Sequence, residues 1–157
     1  RRAVCRTGAR SAGLLDLARL EPADAGLGAR SPTARHAATF DCGAFGRTFD
    51  VALAQSVFTH LSLNSVHRCL VRVAEVLRRG GVFYATILEN TGDPHDLSPI
   101  EFAQPDLPPT TTYPDANPYR YPVRFIEDLI VGLPLKFEHI GEWGSLRGQS
   151  MLAFHRL

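Results

Sequence analysis

Four polar residues close together, Gln55, Ser56, Thr59 and His60, follow directly on the apolar run Val51 to Ala54. Amide, hydroxyl and imidazole groups of this kind can hold a ligand by hydrogen bonds, and an imidazole can also take up a proton near neutral pH. Thr59 and His60 have a plainer use as well, entering and capping a following helix. A second group lies in the proline-rich stretch between Glu89 and Pro122, where Tyr113, Tyr119 and Tyr121, with Arg120, could form an aromatic wall and a polar handle for a substrate. Their plainer role is to tether that loop to the surface. A third group, Glu142, Trp143, Arg147 and Gln149, lies between the last two apolar runs. Trp143 suits the edge of a core, and Arg147 and Gln149 are candidates for substrate contact.

The elements that must position these residues begin with Phe49 to Leu88. Val51 to Ala54 suits a strand buried on both faces. From Leu63 the period changes, and Leu63, Val66, Leu70, Val73, Ala74 and Leu77 mark one face of an α-helix. Ser62 is the expected N-cap, Arg78 and Arg79 fall in the expected last turn, and Gly80 suits the left-handed position after it. Val82 to Leu88 is again apolar, which predicts a strand, crossover helix and parallel strand. In open parallel sheets ligands bind beyond the carboxyl ends of the strands, where Gln55 to His60 fall.

Further along, Pro122 suits the first turn of a helix with the apolar face Phe125, Ile126, Leu129, Ile130 and Leu133, ended by Gly132 and Pro134. Leu135 to Ile140 and Met151 to His155 read as strands. Their connector is too short for a crossover helix, so an antiparallel hairpin is expected. The segment between Glu89 and Pro122 carries eight prolines, at 94, 99, 105, 108, 109, 114, 118 and 122, and reads as a long lid or disordered loop at the ligand end of the sheet.

FDVALAQSVFTHL followed by VAEVLRRGGVFYATIL resembles the middle of a class I S-adenosylmethionine-dependent methyltransferase, from its fourth strand through its fifth. The resemblance covers roughly residues 37–157, and the tail IGEWGSLRGQSMLAF resembles a pattern near IGDWxHPRGQxM, with Ser145 and Leu146 in place of its His and Pro. It implies an α/β, Rossmann-like sheet, mostly parallel, with a C-terminal antiparallel hairpin, and S-adenosyl-L-methionine as cofactor. It also implies a third strand ending at Asp41, whose carboxylate would meet the adenine amino group while the Cys42 N–H meets a ring nitrogen. Asp41 with Gly43 equally suits a plain turn. Cofactor contacts are thus expected from Asp41, Cys42, Gln55 and Ser56, a general base at His60, and substrate contacts from Tyr113, Tyr119, Tyr121, Arg147 and Gln149.

The family's Gly-rich cofactor loop has no counterpart in residues 1–40. Gly26 to Gly28 follow a polar stretch, and if LLDLAR, Leu14 to Arg19, is the start of the helix after the second strand, the acidic residue that would hold a ribose falls near Ala9, where there is none. The chain therefore reads as the C-terminal two-thirds of such a domain, with the N-terminal part of the fold missing, a loose Arg-rich segment at 1–36, and a partial domain at 37–157. Without a central strand, the Val51 strand would keep an open edge or pair with something new, and reduced stability or self-association is expected. Three functions follow: a methyltransferase acting on a small-molecule acceptor; a non-catalytic remnant serving as an interaction or structural module; and a nicotinamide-dependent enzyme, disfavoured by the hairpin and the missing dinucleotide fingerprint.

Composition narrows the classes. A chain of 157 residues, 45% hydrophobic, can bury one core. A net charge of +1 gives no field for nucleic acid or membrane; the Arg-rich front could be a targeting peptide or a nucleic-acid arm, but a general compositional bias is the preferred reading, since Arg is abundant throughout and Lys136 is the only lysine. Cys5, Cys42 and Cys69 have neither disulfide nor zinc spacing, and the histidines are scattered, so reduced thiols, no metal site and a cytoplasmic setting are expected. No run approaches the ~20 apolar residues of a membrane span.

Overall fold

The computed structural model describes residues 14–16, 40, 42–104, 107–145 and 147–157. In chain order the strands are β1 (Leu14–Asp16), β2 (Phe49–Ala54), β3 (Leu77–Glu89), β4 (Ile100–Gln104), β5 (Leu107–Thr112), β6 (Arg120–Tyr121), β7 (Leu135–Glu142) and β8 (Ser150–Arg156). The α-helices are α1 (Leu63–Val76) and α2 (Val123–Asp128), with one-turn 3-10 helices at Cys42–Phe45 and Phe58–His60.

Period-2 and period-3.6 patterns give the expected unit: β2 and β3 run parallel, joined through α1. The sheet order is β1-β2-β3-β8-β7, with β6 attached to β3, and β8 is antiparallel to both β3 and β7. A parallel sheet ending in an antiparallel hairpin is thus present as expected. β4 and β5 form a separate antiparallel pair inside the proline-rich segment.

One face of the sheet and α1 share a core. Ala52 and Ala54 of β2, Phe83, Ala85 and Ile87 of β3, and Leu152 and Phe154 of β8 meet Val66, Cys69, Leu70 and Val73 of α1, with Phe58 and Ile126 closing it. The two alanines let the helix approach the sheet. Phe83 stacks on Phe154, its partner in register, at 5.7 Å, and meets Phe58 edge-on at 5.9 Å. Each buried Phe or Leu contributes about 1.5–3 kcal/mol relative to exposure. On the opposite face Thr86, Leu88, Met151 and Ala153 are buried too.

Several boundaries differ from the sequence expectation. Ser62 is the N-cap of α1, but its hydroxyl donates to the Ser65 hydroxyl and caps no backbone N–H. The helix ends at Val76, and Leu77 is already extended with Phe49 as its partner. Arg78 and Arg79 therefore lie in a bulge of β3, and Arg78 pairs with Asp50 at 3.0 Å. The bulge exists because the chain must turn sharply: Gly80 sits at φ +76°, and a Cβ on Gly81 would lie 2.9 Å from the carbonyl oxygens of both Arg78 and Asp50.

Pro122 is the N-cap of α2, which is shorter than its apolar pattern suggests. Leu129, Ile130 and Leu133 still pack on the core, from a turn rather than from the helix. The loop between Glu89 and Pro122 contains β4, β5 and β6, with an isolated bridge between Tyr113 and Tyr119.

The largest correction concerns Leu14 to Asp16. These residues are a strand and not the start of a helix, paired parallel to β2 in the register Leu14 to Val51, Leu15 to Ala52 and Asp16 to Leu53. Of the two outcomes expected for the edge of β2, left open or paired with something new, the structure shows the second along three residues, and the sheet has a strand where a missing one was expected. A short Leu-Leu run satisfies either period, and the unpaired ladder of β2 decides in favour of a strand. The expected third strand lies mostly outside the described residues. Phe40, within it, is in a turn at φ +51°, and Cys42 opens a 3-10 helix.

Candidate functional site

The carboxyl ends of β2 and β3 carry most of the site. β2 ends at Ala54, Gln55 is exposed just beyond it, and Ser56 turns the chain at φ +56°. A left-handed backbone is uncommon for a residue with a Cβ, and here the surrounding bonds hold it in place. The Ser56 N–H donates to the Thr86 hydroxyl oxygen at 2.8 Å. The Ser56 hydroxyl donates to Gln149 Oε1 at 3.0 Å, and the Thr86 hydroxyl donates to the same oxygen at 2.7 Å. Thr86 and Gln149 are buried, so one amide oxygen on the hairpin locks the carboxyl end of β2 to β3.

The turn set by Ser56 leads into the 3-10 helix Phe58–His60 and leaves His60 exposed. His60 Nδ1 lies 2.7 Å from Asn117 Oδ1. An amide oxygen only accepts, so Nδ1 is the donor of this bond, and in the neutral ring the lone pair falls on Nε2. Asn117 is 57 residues away in sequence, held beside His60 because the Tyr119 N–H donates to the Thr59 carbonyl at 2.7 Å. Asn117 precedes a cis peptide bond to Pro118.

The tyrosines divide. Tyr113 and Tyr119 are half-buried and bridged to each other, and Tyr119 stacks on Tyr121 at 5.8 Å. Tyr121 is buried, its hydroxyl donating to the Leu61 carbonyl, and burial followed by the neighbouring Tyr119 raises its ionisation well above the ordinary phenol range. Of the three, Tyr121 serves the core and the other two reach the surface. Arg120 is buried between strands, with Nη1 donating to the Thr112 carbonyl at 3.0 Å and Nη2 to the Ser98 carbonyl at 2.6 Å.

The hairpin end is split in the same way. Gln149 is inside, whereas Arg147, Glu142 and Trp143 are exposed, and the Arg147 N–H donates to the Ser145 hydroxyl. Between them and β3 lies a cluster that the sequence reading passed over. The Ser150 hydroxyl donates to Glu89 Oε2 at 2.7 Å, and His139 Nε2 lies 3.3 Å from the same oxygen.

Of the two residues expected around adenine, Cys42 lies within the described residues. Asp41 lies outside the described residues. The Cys42 N–H donates to the Phe40 carbonyl at 2.7 Å, and the Cys42 side chain is fully buried in the core. Burial raises the ionisation of Cys69, with a smaller contribution from Cys42, so Cys69 remains a thiol. Neither Cys42 nor Cys69 is in a disulfide. After Asp16 the sequence continues Leu17, Ala18, Arg19 and Leu20, so side chains stand where an E/D-x-G-x-G turn would have glycines. Among the described residues, the Gln55 side chain is exposed and the Ser56 hydroxyl is committed to Gln149.

Among the described residues no group of three His, Cys, Asp or Glu could hold a metal ion, and no helix is long and apolar enough to cross a membrane.

Asn117, Thr86, Asn90 and Glu89 were not singled out from sequence. Thr86 and Glu89 sit in a run that reads as pure strand, and only the carboxyl-end position of Glu89 and Asn90 could have drawn attention to them.

No family model and no curated protein matches this chain. Solved structures similar to it include the CcbJ methyltransferase from Streptomyces caelestis, at 12% identity and a TM-score of 0.49 over 71% of this chain. An S-adenosylmethionine-dependent methyltransferase from Clostridium acetobutylicum is similar at 10% identity and a TM-score of 0.47 over 70% of this chain. The pyocyanin biosynthetic protein PhzM is similar at 12% identity and a TM-score of 0.46 over 71%. The chain spans 62% of the first, 59% of the second and 31% of the third.

Proposed function

We propose that this chain is the acceptor side of a class I S-adenosylmethionine-dependent methyltransferase domain acting on a small-molecule acceptor. The observation that carries the reading is the His60 and Asn117 pair, in which an exposed imidazole at the carboxyl edge of a parallel sheet is held through Nδ1, so that its neutral form presents the Nε2 lone pair. The bound cofactor would supply an electrophilic methyl group. The chain's own residues deal with the acceptor: His60 Nε2 takes the proton of its hydroxyl or amine, and Tyr113 and Tyr119 provide an aromatic wall beside it. Displacement at a methyl group depends chiefly on positioning, so one base and a rigid frame suffice on this side. The frame is the Ser56, Thr86 and Gln149 lock.

A second reading, a non-catalytic module of the same fold, is favoured by the Cys42 N–H already bonded to Phe40 and by Ala18 and Leu20 in place of turn glycines. Calorimetric titration of the chain with S-adenosylhomocysteine, beside an Asp41→Ala variant, separates the two. Saturable binding that the variant weakens supports methyl transfer. An absence of heat from a chain shown to be folded by circular dichroism rules out cofactor binding by this chain and leaves the second reading.

A further inference from the structure

Two buried donors stand without acceptors. Arg120, 3% exposed, satisfies both terminal nitrogens on carbonyls, yet its Nε–H has no partner; Asn90, 7% exposed, uses Oδ1 to accept from the Gly92 N–H and leaves Nδ2 without one. Buried N–H groups are nearly always paired, so two orphans close together point to something that completes them. They are close in the ladder. Arg120 is opposite Leu88, and the Asn90 N–H donates to the Tyr121 carbonyl at 2.9 Å, one step further along. Since side chains alternate, Leu88, Asn90 and Arg120 share one face of the sheet, the same face as Thr86 beside the Ser56 and Gln149 lock.

Charge sharpens the chemistry. A guanidinium is ionised at any pH the protein survives, and burying it among neutral carbonyls leaves its charge uncompensated. Among the described residues no carboxylate is ion-paired with Arg120. Among the described residues, an acid that feels its charge is Asp96, fully exposed and held below the usual carboxylate range first by hydrogen bonds from Ser98 and only lastly by Arg120.

We propose that Asn90 and Arg120 form a recognition site for a carboxylate carried by the acceptor molecule. Two orphan N–H donors match the two oxygens of a planar carboxylate, and the pairing would neutralise the buried charge. Both donors are covered in this conformation. Arg120 itself holds the cover, through the Ser98 carbonyl ahead of β4 and the Thr112 carbonyl at the end of β5. The ligand therefore enters by displacing the Ser98 and Thr112 carbonyls, and Arg120 exchanges those contacts for contacts with the anion. This deepens the acceptor reading and rests on it for the word acceptor, but the anion site is tested separately.

The probe is benzoate, with benzamide as its neutral counterpart and phenylphosphonate as a different oxyanion, added to the full chain labelled with nitrogen-15. The expected result is a saturable shift of the Arg120 Nε–H and Asn90 side-chain amide signals with benzoate, little with benzamide, and a weaker response to phenylphosphonate. An Asn90→Ala variant, which removes the orphan and one ligand bond, should fold and bind benzoate roughly tenfold more weakly. No shift at ~50 mM benzoate, well above the ~1 mM affinity within reach of so small a ligand, overturns the site. An equal response to benzamide, or tighter binding of phenylphosphonate, overturns its assignment to a carboxylate. Benzoate binding without any binding of S-adenosylhomocysteine leaves the anion site standing and removes methyl transfer.

Discussion

Replacing Gln149 by Leu tests whether the lock between β2 and β3 is a unit. In the native chain Gln149 Oε1 accepts from two hydroxyls, and the Thr86 oxygen in turn accepts from the Ser56 N–H. Gln149→Leu leaves the Thr86 hydroxyl, in a fully buried residue, without its acceptor, which costs about 1–3 kcal/mol. The Ser56 hydroxyl is only partly buried and can turn to water, adding about 0.5–1 kcal/mol. The variant should lose about 2–3 kcal/mol. Thr86→Val, nearly isosteric, strands the Ser56 N–H and should lose about 2 kcal/mol. In the double variant the Thr86 and Gln149 groups that satisfied each other are both apolar. Its loss should be about 3 kcal/mol, against the 4–5 of simple addition, a coupling of ~1–2 kcal/mol. Urea unfolding followed by circular dichroism reads this directly. With a slope of about 2 kcal/mol per molar, each single variant moves its midpoint down by roughly 1 M. Agreement of the double variant with the sum to within ~0.5 kcal/mol would refute the shared lock.

Other expectations follow from single residues. Gly81→Ala should destabilise by about 2–4 kcal/mol, because the new Cβ meets two backbone oxygens at 2.9 Å, whereas Gly80→Ala meets open space and should lose only ~1 kcal/mol for its positive φ; paired urea midpoints compare them. Tyr121 keeps its proton in the fold beyond the point at which an unfolded tyrosine loses it. Its contribution to stability is therefore intact below about pH 10 and declines as pH rises from there toward its folded value, and Tyr121→Phe should flatten that decline in thermal melts. Asn117→Ala should let the His60 ring proton redistribute toward Nε2, visible in the ring nitrogen shifts; unchanged shifts would remove Asn117 as the group that orients His60.

What could be read from sequence depended on how far apart the causes lay. β2, α1 and β3 were legible because their periods are local, and the terminal hairpin because its connector is short. The end of α1 was not, since Leu77 fits the helical face as well as the strand and only pairing with Phe49 decides between them. β1 is three residues of ambiguous pattern, meaningful only beside the edge of β2. Prolines concealed β4 and β5, which form a pair separate from the main sheet, where a missing N–H is tolerated. Among the candidate residues, His60 was accessible through its position after a strand. Asn117 was not, because its role comes from a contact across 57 residues, and Arg120, read as a polar handle, gave no hint that it would be buried.

The absence of any loop between α1 and β3 has a consequence for how the chain can be altered. Helix geometry passes to strand geometry between Val76 and Leu77, and within five residues Gly81 is wedged against the Asp50 carbonyl. There is no slack at that junction to absorb an added or deleted residue, and a one-residue slip would exchange the two faces of β3, presenting Thr86 to the core and Phe83 to the opposite side. Changes in length fit better in stretches that pair with nothing central, such as residues 93–97 and 143–145. Those are the places where a tag or a binding loop could be grafted with the sheet register intact.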